Sequence, residues 1–192
     1  MSDPVVVAGG REVVGRLDTP DADSVVVACP PHPRHGGARS DPRLRAVSDA
    51  LAPDVACLRF DYGEWDDQRG PALCTGDAER ALAWARGRFD TVGLFGYSFG
   101  AGVALRAAAA ADPPDACSAL APPGEAVDTL AAVDCPLQVV VGERDTTVDW
   151  EPVADRAAAL GQAVVRLPSG HGFAGQFHRL GRAVGAFLSD RL

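Results

Sequence analysis

Thr91-Val92-Gly93-Leu94-Phe95-Gly96-Tyr97-Ser98-Phe99-Gly100 is the stretch on which the reading of this chain turns. Thr91 to Phe95 is a short apolar run suited to a buried strand. The alanine-rich segment that follows, to about Ala111, suits a deeply buried helix because it has no polar face. Between them lies Gly-x-Ser-x-Gly, a turn so tight that flanking side chains would collide, which is why glycine is needed there. Ser98 is then held at a sharp strand-to-helix corner, next to the unpaired N–H groups that open a helix.

Outward from this corner, short β-branched runs alternate with helical patterns, the signature of a mostly parallel sheet covered by helices. Ser24 to Cys29 and Val55 to Phe60 precede the corner as strands. Ala116 to Ala121, Leu137 to Gly142 and Ala163 to Leu167 follow it. Val5 to Val7 and Arg11 to Leu17 flank Gly9-Gly10 as an antiparallel hairpin. Asp41 and Pro42 open a helix carrying Leu44, Val47 and Leu51 on one face. Further helices are expected over Thr75 to Arg88, near Val127 to Ala132, and over Trp150 to Leu160. The last helix is read from Phe173, Phe177, Leu180, Val184, Phe187 and Leu188 at helical spacing. Residues 1–192 are expected to form a single domain with helices on both faces of the sheet and no cap.

Composition narrows the function classes. The chain has 18 basic and 26 acidic residues, and every basic one is Arg. A net charge of −8 opposes phosphate backbones and anionic lipid, so neither nucleic acid nor a membrane surface is expected as a partner. The acidity fits a halophile-like, high-salt cytoplasm, and a GC-rich genome would produce the same bias. Met1-Ser2-Asp3-Pro4 lacks the basic character of a secretory leader, and no apolar run approaches the length of a membrane span, so a cytoplasmic location is expected. Five cysteines are widely spaced, with no metal-binding or disulfide pattern, and read as buried thiols. No cofactor or metal is expected.

A serine hydroxyl needs a base to take its proton and an acid to orient that base. Among four histidines, His171 in Ser169-Gly170-His171-Gly172-Phe173 follows the last strand and falls on the same sheet edge as Ser98. His178 falls inside the final helix pattern. Asp145 follows the strand ending at Gly142 and is the first choice of acid, with Asp149 four residues on as the alternative. An oxyanion needs two N–H donors, one from Phe99 and one from the loop Pro30-Pro31-His32-Pro33-Arg34-His35. Pro33 has no N–H, which leaves the main chain of Arg34 as the expected second donor. His32, Tyr62, Trp65 and Tyr97 are candidate walls of a substrate pocket.

The His32 to Gly37 loop, the Gly96 to Gly100 corner, Gly142 to Asp145 and Gly170 to Phe173 together resemble the α/β-hydrolase superfamily. The resemblance covers Ser24 to Leu188 and is closest to small, lidless dienelactone-hydrolase-like members. It implies an α/β-hydrolase fold, a Ser98–His171–Asp145 triad in the chain order Ser, Asp, His, and hydrolysis of a small ester through an acyl-enzyme. Dienelactone hydrolases proper carry a cysteine nucleophile, so Ser98 points to general carboxylester chemistry. A thioesterase or peptidase using the same groups, and a binding protein that keeps the fold without turnover, remain alternatives.

Overall fold

The computed structural model describes residues 4–192; Met1 to Asp3, whose acidic character entered the reading of location, lie outside them. Eight strands form one sheet: β1 (Val5–Val7), β2 (Val13–Asp18), β3 (Ser24–Cys29), β4 (Val55–Asp61), β5 (Thr91–Tyr97), β6 (Ala116–Leu120), β7 (Leu137–Gly142) and β8 (Ala163–Leu167). Their spatial order is β1-β2-β4-β3-β5-β6-β7-β8. The expected hairpin is present, with Val6 opposite Val14, and β2 runs antiparallel to β4. Every other pairing is parallel. Sheets of this kind place functional groups beyond the carboxyl ends of their strands.

Helices cover both faces. α1 (Pro42–Leu51) and α5 (Phe177–Ser189) pack on one face, burying Leu44, Val47, Leu180 and Val184 against Val26, Cys57 and Val140. α2 (Gly70–Arg86), α3 (Phe99–Ala108) and α4 (Glu151–Ala159) cover the other, closing over Val25, Leu58, Leu94 and Val139. Fully buried side chains of this size each contribute roughly 1.5–3 kcal/mol of transfer free energy. The two faces of β3 to β7 are therefore both held dry, as their unbroken apolar runs require. α3 tolerates this position because Gly100, Ala101, Gly102, Ala104 and Ala107 let its backbone approach the sheet closely.

Three differences from the sequence reading have a structural reason. α2 begins at Gly70 rather than Thr75, since Pro71 is accommodated in the first turn of a helix, where no intrahelical N–H bond is lost. The stretch near Val127 to Ala132 is two 3-10 turns, Gly124–Asp128 and Leu130–Ala132. Phe173 is not in the last helix: it is fully buried with φ of +52° in the turn that precedes it, so its apolar spacing reflects anchoring of a loop.

Candidate active site

β5 delivers Ser98 into a strained backbone conformation, φ +55° and ψ −121°, before α3 begins at Phe99. Strain of this kind costs on the order of 1–3 kcal/mol and persists only where the surroundings enforce it. Here the Ser98 N–H donates to Leu120 O at 2.8 Å, and the Ser98 carbonyl accepts from Ala101 at 2.9 Å. Space enforces it too. A Cβ on Gly96 would lie 2.1 Å from Gly100 O, and one on Gly100 would lie 2.3 Å from Cys29 O. The two glycines answer to close backbone approach, and neither has a positive φ.

The structure brings Ser98, His171 and Asp145 together. Ser98 Oγ is 2.9 Å from His171 Nε2, and His171 Nδ1 is 2.7 Å from Asp145 Oδ2. The Asp145 side chain is fully buried, and its Oδ1 accepts from Thr147 N–H at 2.8 Å and Val148 N–H at 3.3 Å. These donors fix the carboxylate so that its other oxygen faces the imidazole. The loops carrying Asp145 and His171 are tied to each other by Arg144 N–H donating to Ser169 O at 2.9 Å. Asp149, the alternative acid, is exposed and has no bond to His171. His178 is exposed on α5.

Tyr97, expected as a pocket wall, is instead buried behind His171. Its hydroxyl donates to His171 O at 3.1 Å, and its ring carries the Arg43 guanidinium 4.4 Å from its centroid in the α1–α5 core. It holds the His171 loop from below. Tyr62 is also buried, donating to Pro30 O at 3.1 Å and standing edge-on to Phe99 at 6.0 Å. It backs Phe99. Of the four expected walls, His32 and Trp65 do line a depression, together with Arg34, His35 and Asp67.

The loop after β3 differs from expectation at its key atom. Arg34 N–H, expected to face an oxyanion, donates to His32 Nδ1 at 3.2 Å. His35 and Gly37 N–H groups both donate to His32 O, and Gly36 N–H to Pro33 O. Pro30, Pro31 and Pro33 have none. His32 is thus the residue of Pro30 to Gly37 whose N–H has no partner among the described residues. Its ring centroid is 4.7 Å from that of Phe99, the neighbour of Ser98. The one hint of this in the sequence is the place of His32, two residues before Arg34, from which its side chain reaches that N–H.

A second set of bonds fixes the loop after β4. Asp77 on α2 has no exposed surface, yet it accepts from Arg11 Nε at 3.1 Å, from Arg80 and from Gly63 N–H at 3.0 Å. Sequence reasoning missed it, because nothing in an alternating helix pattern marks one Asp as buried. Three acidic residues of this segment are paired as well: Asp61 with Arg39, Asp66 with Arg69, and Asp67 with Arg34 and with Trp65 Nε1 at 2.9 Å.

No family model matches this chain, and no curated protein matches it. Solved structures do. An α/β serine hydrolase homologue from Coxiella burnetii is 21% identical over 97% of both chains, with a TM-score of 0.84. An α/β serine hydrolase without a lid from Xanthomonas campestris is 26% identical, over 99% of this chain and 94% of its own, with a TM-score of 0.82. A dienelactone hydrolase from Anabaena variabilis is 22% identical, over 99% and 97%, with a TM-score of 0.78. The chain has the α/β-hydrolase fold, in the form that lacks a lid. No helix among the described residues is long and apolar enough to cross a membrane.

Proposed function

We propose that this protein is a serine hydrolase that cleaves small carboxylic esters, with Ser98 as nucleophile, His171 as general base and acid, and Asp145 as the residue that orients His171. The relay of 2.9 Å and 2.7 Å contacts through one imidazole, starting from a serine held in a strained corner, is the observation that carries this reading. Such a relay is needed because an ordinary hydroxyl is a poor nucleophile near neutral pH.

In the first step Ser98 Oγ bonds to the ester carbonyl carbon while its proton passes to His171 Nε2. The imidazolium is stabilised by the buried Asp145 carboxylate through Nδ1–H. The carbonyl oxygen becomes an oxyanion, for which Phe99 N–H at the start of α3 and His32 N–H are the proposed donors. Collapse breaks the bond to the alcohol oxygen, which leaves with the proton from His171. Water then attacks the acyl-enzyme by the same route, with its proton taken by His171, and returns Ser98 and the free acid. The open rim, with Ser98 half-exposed, suits a small substrate in solution.

A panel of short-chain esters tests the reading. Wild type should hydrolyse at least one in a manner that Ser98→Ala reduces by roughly three orders of magnitude or more. Running the panel at low and high salt shows in the same experiment whether the acidic surface requires screening. Turnover that survives Ser98→Ala would assign the activity to other groups and remove the proposal.

A further inference from the structure

The chain is poor in aromatic residues, with three Trp, two Tyr, seven Phe and four His in 192 positions. Five of these rings gather at one corner beside Ser98. His32 lies 4.3 Å from Trp65, 4.7 Å from Phe99 and 4.8 Å from His35, centroid to centroid. Trp65 stands edge-on to Phe99 at 5.8 Å, and Tyr62 closes the group from beneath. His32, Trp65 and Phe99 are half-buried, as Trp84, Phe89, Trp150 and Phe177 are elsewhere, and His35 is exposed; what sets the corner apart is the number of rings in mutual contact. His32, His35 and Trp65 line a depression of about 420 Å³, and Phe99, in ring contact with His32 and Trp65, is the chain neighbour of Ser98.

The corner is held in place by bonds outside the rings. Trp65 Nε1 donates to Asp67 Oδ1, which also pairs with Arg34 across the mouth. Gly63 N–H, two residues before Trp65, is anchored on the buried Asp77. The Arg34 N–H to His32 Nδ1 bond fixes the imidazole plane. Burial, with His35 and Arg34 beside it, lowers the His32 pKa, so near neutral pH that ring is uncharged and offers an aromatic face. The depressions of larger volume, including one of about 580 Å³ between α1 and α5, are lined by neither Ser98 nor His171, and of these rings Tyr62 alone reaches one of them.

Resting on the hydrolase reading above, we propose that the wall formed by His32, Trp65 and Phe99 selects esters that carry a planar aromatic ring. Offset-stacked and edge-to-face contacts between rings add about 0.5–1.5 kcal/mol beyond the area they bury, which a saturated ring of the same size does not gain. Phe99 links this wall to the chemistry, since its ring is in the wall and its N–H is a proposed oxyanion donor.

The test uses pairs matched in leaving-group reactivity. Benzyl acetate against cyclohexylmethyl acetate places the ring on the alcohol side; ethyl phenylacetate against ethyl cyclohexylacetate places it on the acyl side. In at least one pair, wild type should favour the aromatic member about tenfold in kcat/KM, equivalent to about 1.4 kcal/mol. Trp65→Leu should bring that ratio close to one, and Trp65→Phe should restore most of it. A ratio near one in wild type for both pairs, or a ratio unmoved by Trp65→Leu, overturns the proposal. Binding of benzyl alcohol and cyclohexylmethanol to Ser98→Ala, read by saturation-transfer NMR, separates this inference from the reading beneath it. Ring-selective binding without any turnover keeps the wall and removes the hydrolase. Ser98-dependent turnover without ring selectivity keeps the hydrolase and removes the wall.

Discussion

Two loops meet at Ser98, and they are built on opposite principles. The corner after β5 is fixed by exclusion: Gly96 and Gly100 leave no room for any other side chain, and Ser98 bears the strain. The loop after β3 is fixed by proline and by one side chain, His32, which turns back to occupy the Arg34 N–H. The first presents the side chain proposed as nucleophile. The second leaves, through a local side-chain bond at Arg34, the His32 N–H unpaired, the one proposed for an oxyanion. Steric exclusion leaves a pattern of glycines in the sequence; selection of one free donor among several leaves almost none.

The largest effect should come from the corner. Gly100→Ala places a methyl group 2.3 Å from both Cys29 O and Pro30 O, so β3, its loop or α3 must move. Activity should be lost, and unfolding in urea should show destabilisation of roughly 1–3 kcal/mol or no folded protein at all. A normal urea midpoint together with full ester turnover would show that the corner is not sterically fixed.

The loop after β3 is tested by a more selective change. His32 has φ of −59°, which a proline ring adopts without strain. His32→Pro therefore deletes the unpaired N–H with little demand on the backbone, and kcat should fall about 10²-fold, as loss of one oxyanion donor does elsewhere. His32→Ala keeps that N–H and removes the ring, so it should keep the larger part of kcat while losing selectivity between substrates. Equal losses of kcat in the two variants would place the donor somewhere other than His32 N–H.

A smaller, pH-dependent effect distinguishes the loops further. His32 is lowered in pKa in the folded chain by burial, with His35 and Arg34 beside it, so its neutral form contributes to stability above the ordinary histidine range. That contribution is lost as pH falls through the lowered value, because protonated Nδ1 no longer accepts from Arg34 N–H. Amide exchange by NMR, corrected for intrinsic rate, should show Arg34 losing protection on acidification. Ser98 N–H, bonded to Leu120 O, should keep its protection. Parallel loss at both amides would mean that the loops open together.

The smallest effect is an expected lack of reaction. All five cysteines are buried, and burial pushes the Cys57 and Cys74 thiols up to about 12 and Cys135 up to about 11. Thiolate is the reactive form, so a disulfide reagent at neutral pH should label none in the native protein and all five after denaturation. Rapid native labelling of one thiol would reveal an opening in the core beneath one of the loops.

What could be read in the sequence follows the same division. The strand–Gly-x-Ser-x-Gly–helix context, the apolar runs of β3 to β7 and the N-terminal hairpin each carry a periodic or steric signature. That Ser98, Asp145 and His171 lie at one edge could be read from their positions after strands. The choice of Asp145 over Asp149 follows from burial and a 2.7 Å contact that spacing alone does not contain. Phe173 matched the helical period while serving as a loop anchor, since burial of an apolar side chain does not report backbone conformation. Tyr97 could not be assigned to pocket or core from its place next to Ser98, because alternate strand residues face opposite sides of the sheet. Eliminating proline points to Arg34, because it accounts for missing donors but not for donors already bonded.

Stoichiometric labelling of the native protein with a fluorophosphonate, followed by peptide mapping, addresses the central claim most directly. The geometry predicts one adduct per chain, on Ser98, with labelling that slows by orders of magnitude in His171→Ala. A native chain that takes up no label, or takes it up elsewhere while Ser98 stays unmodified, would contradict the account.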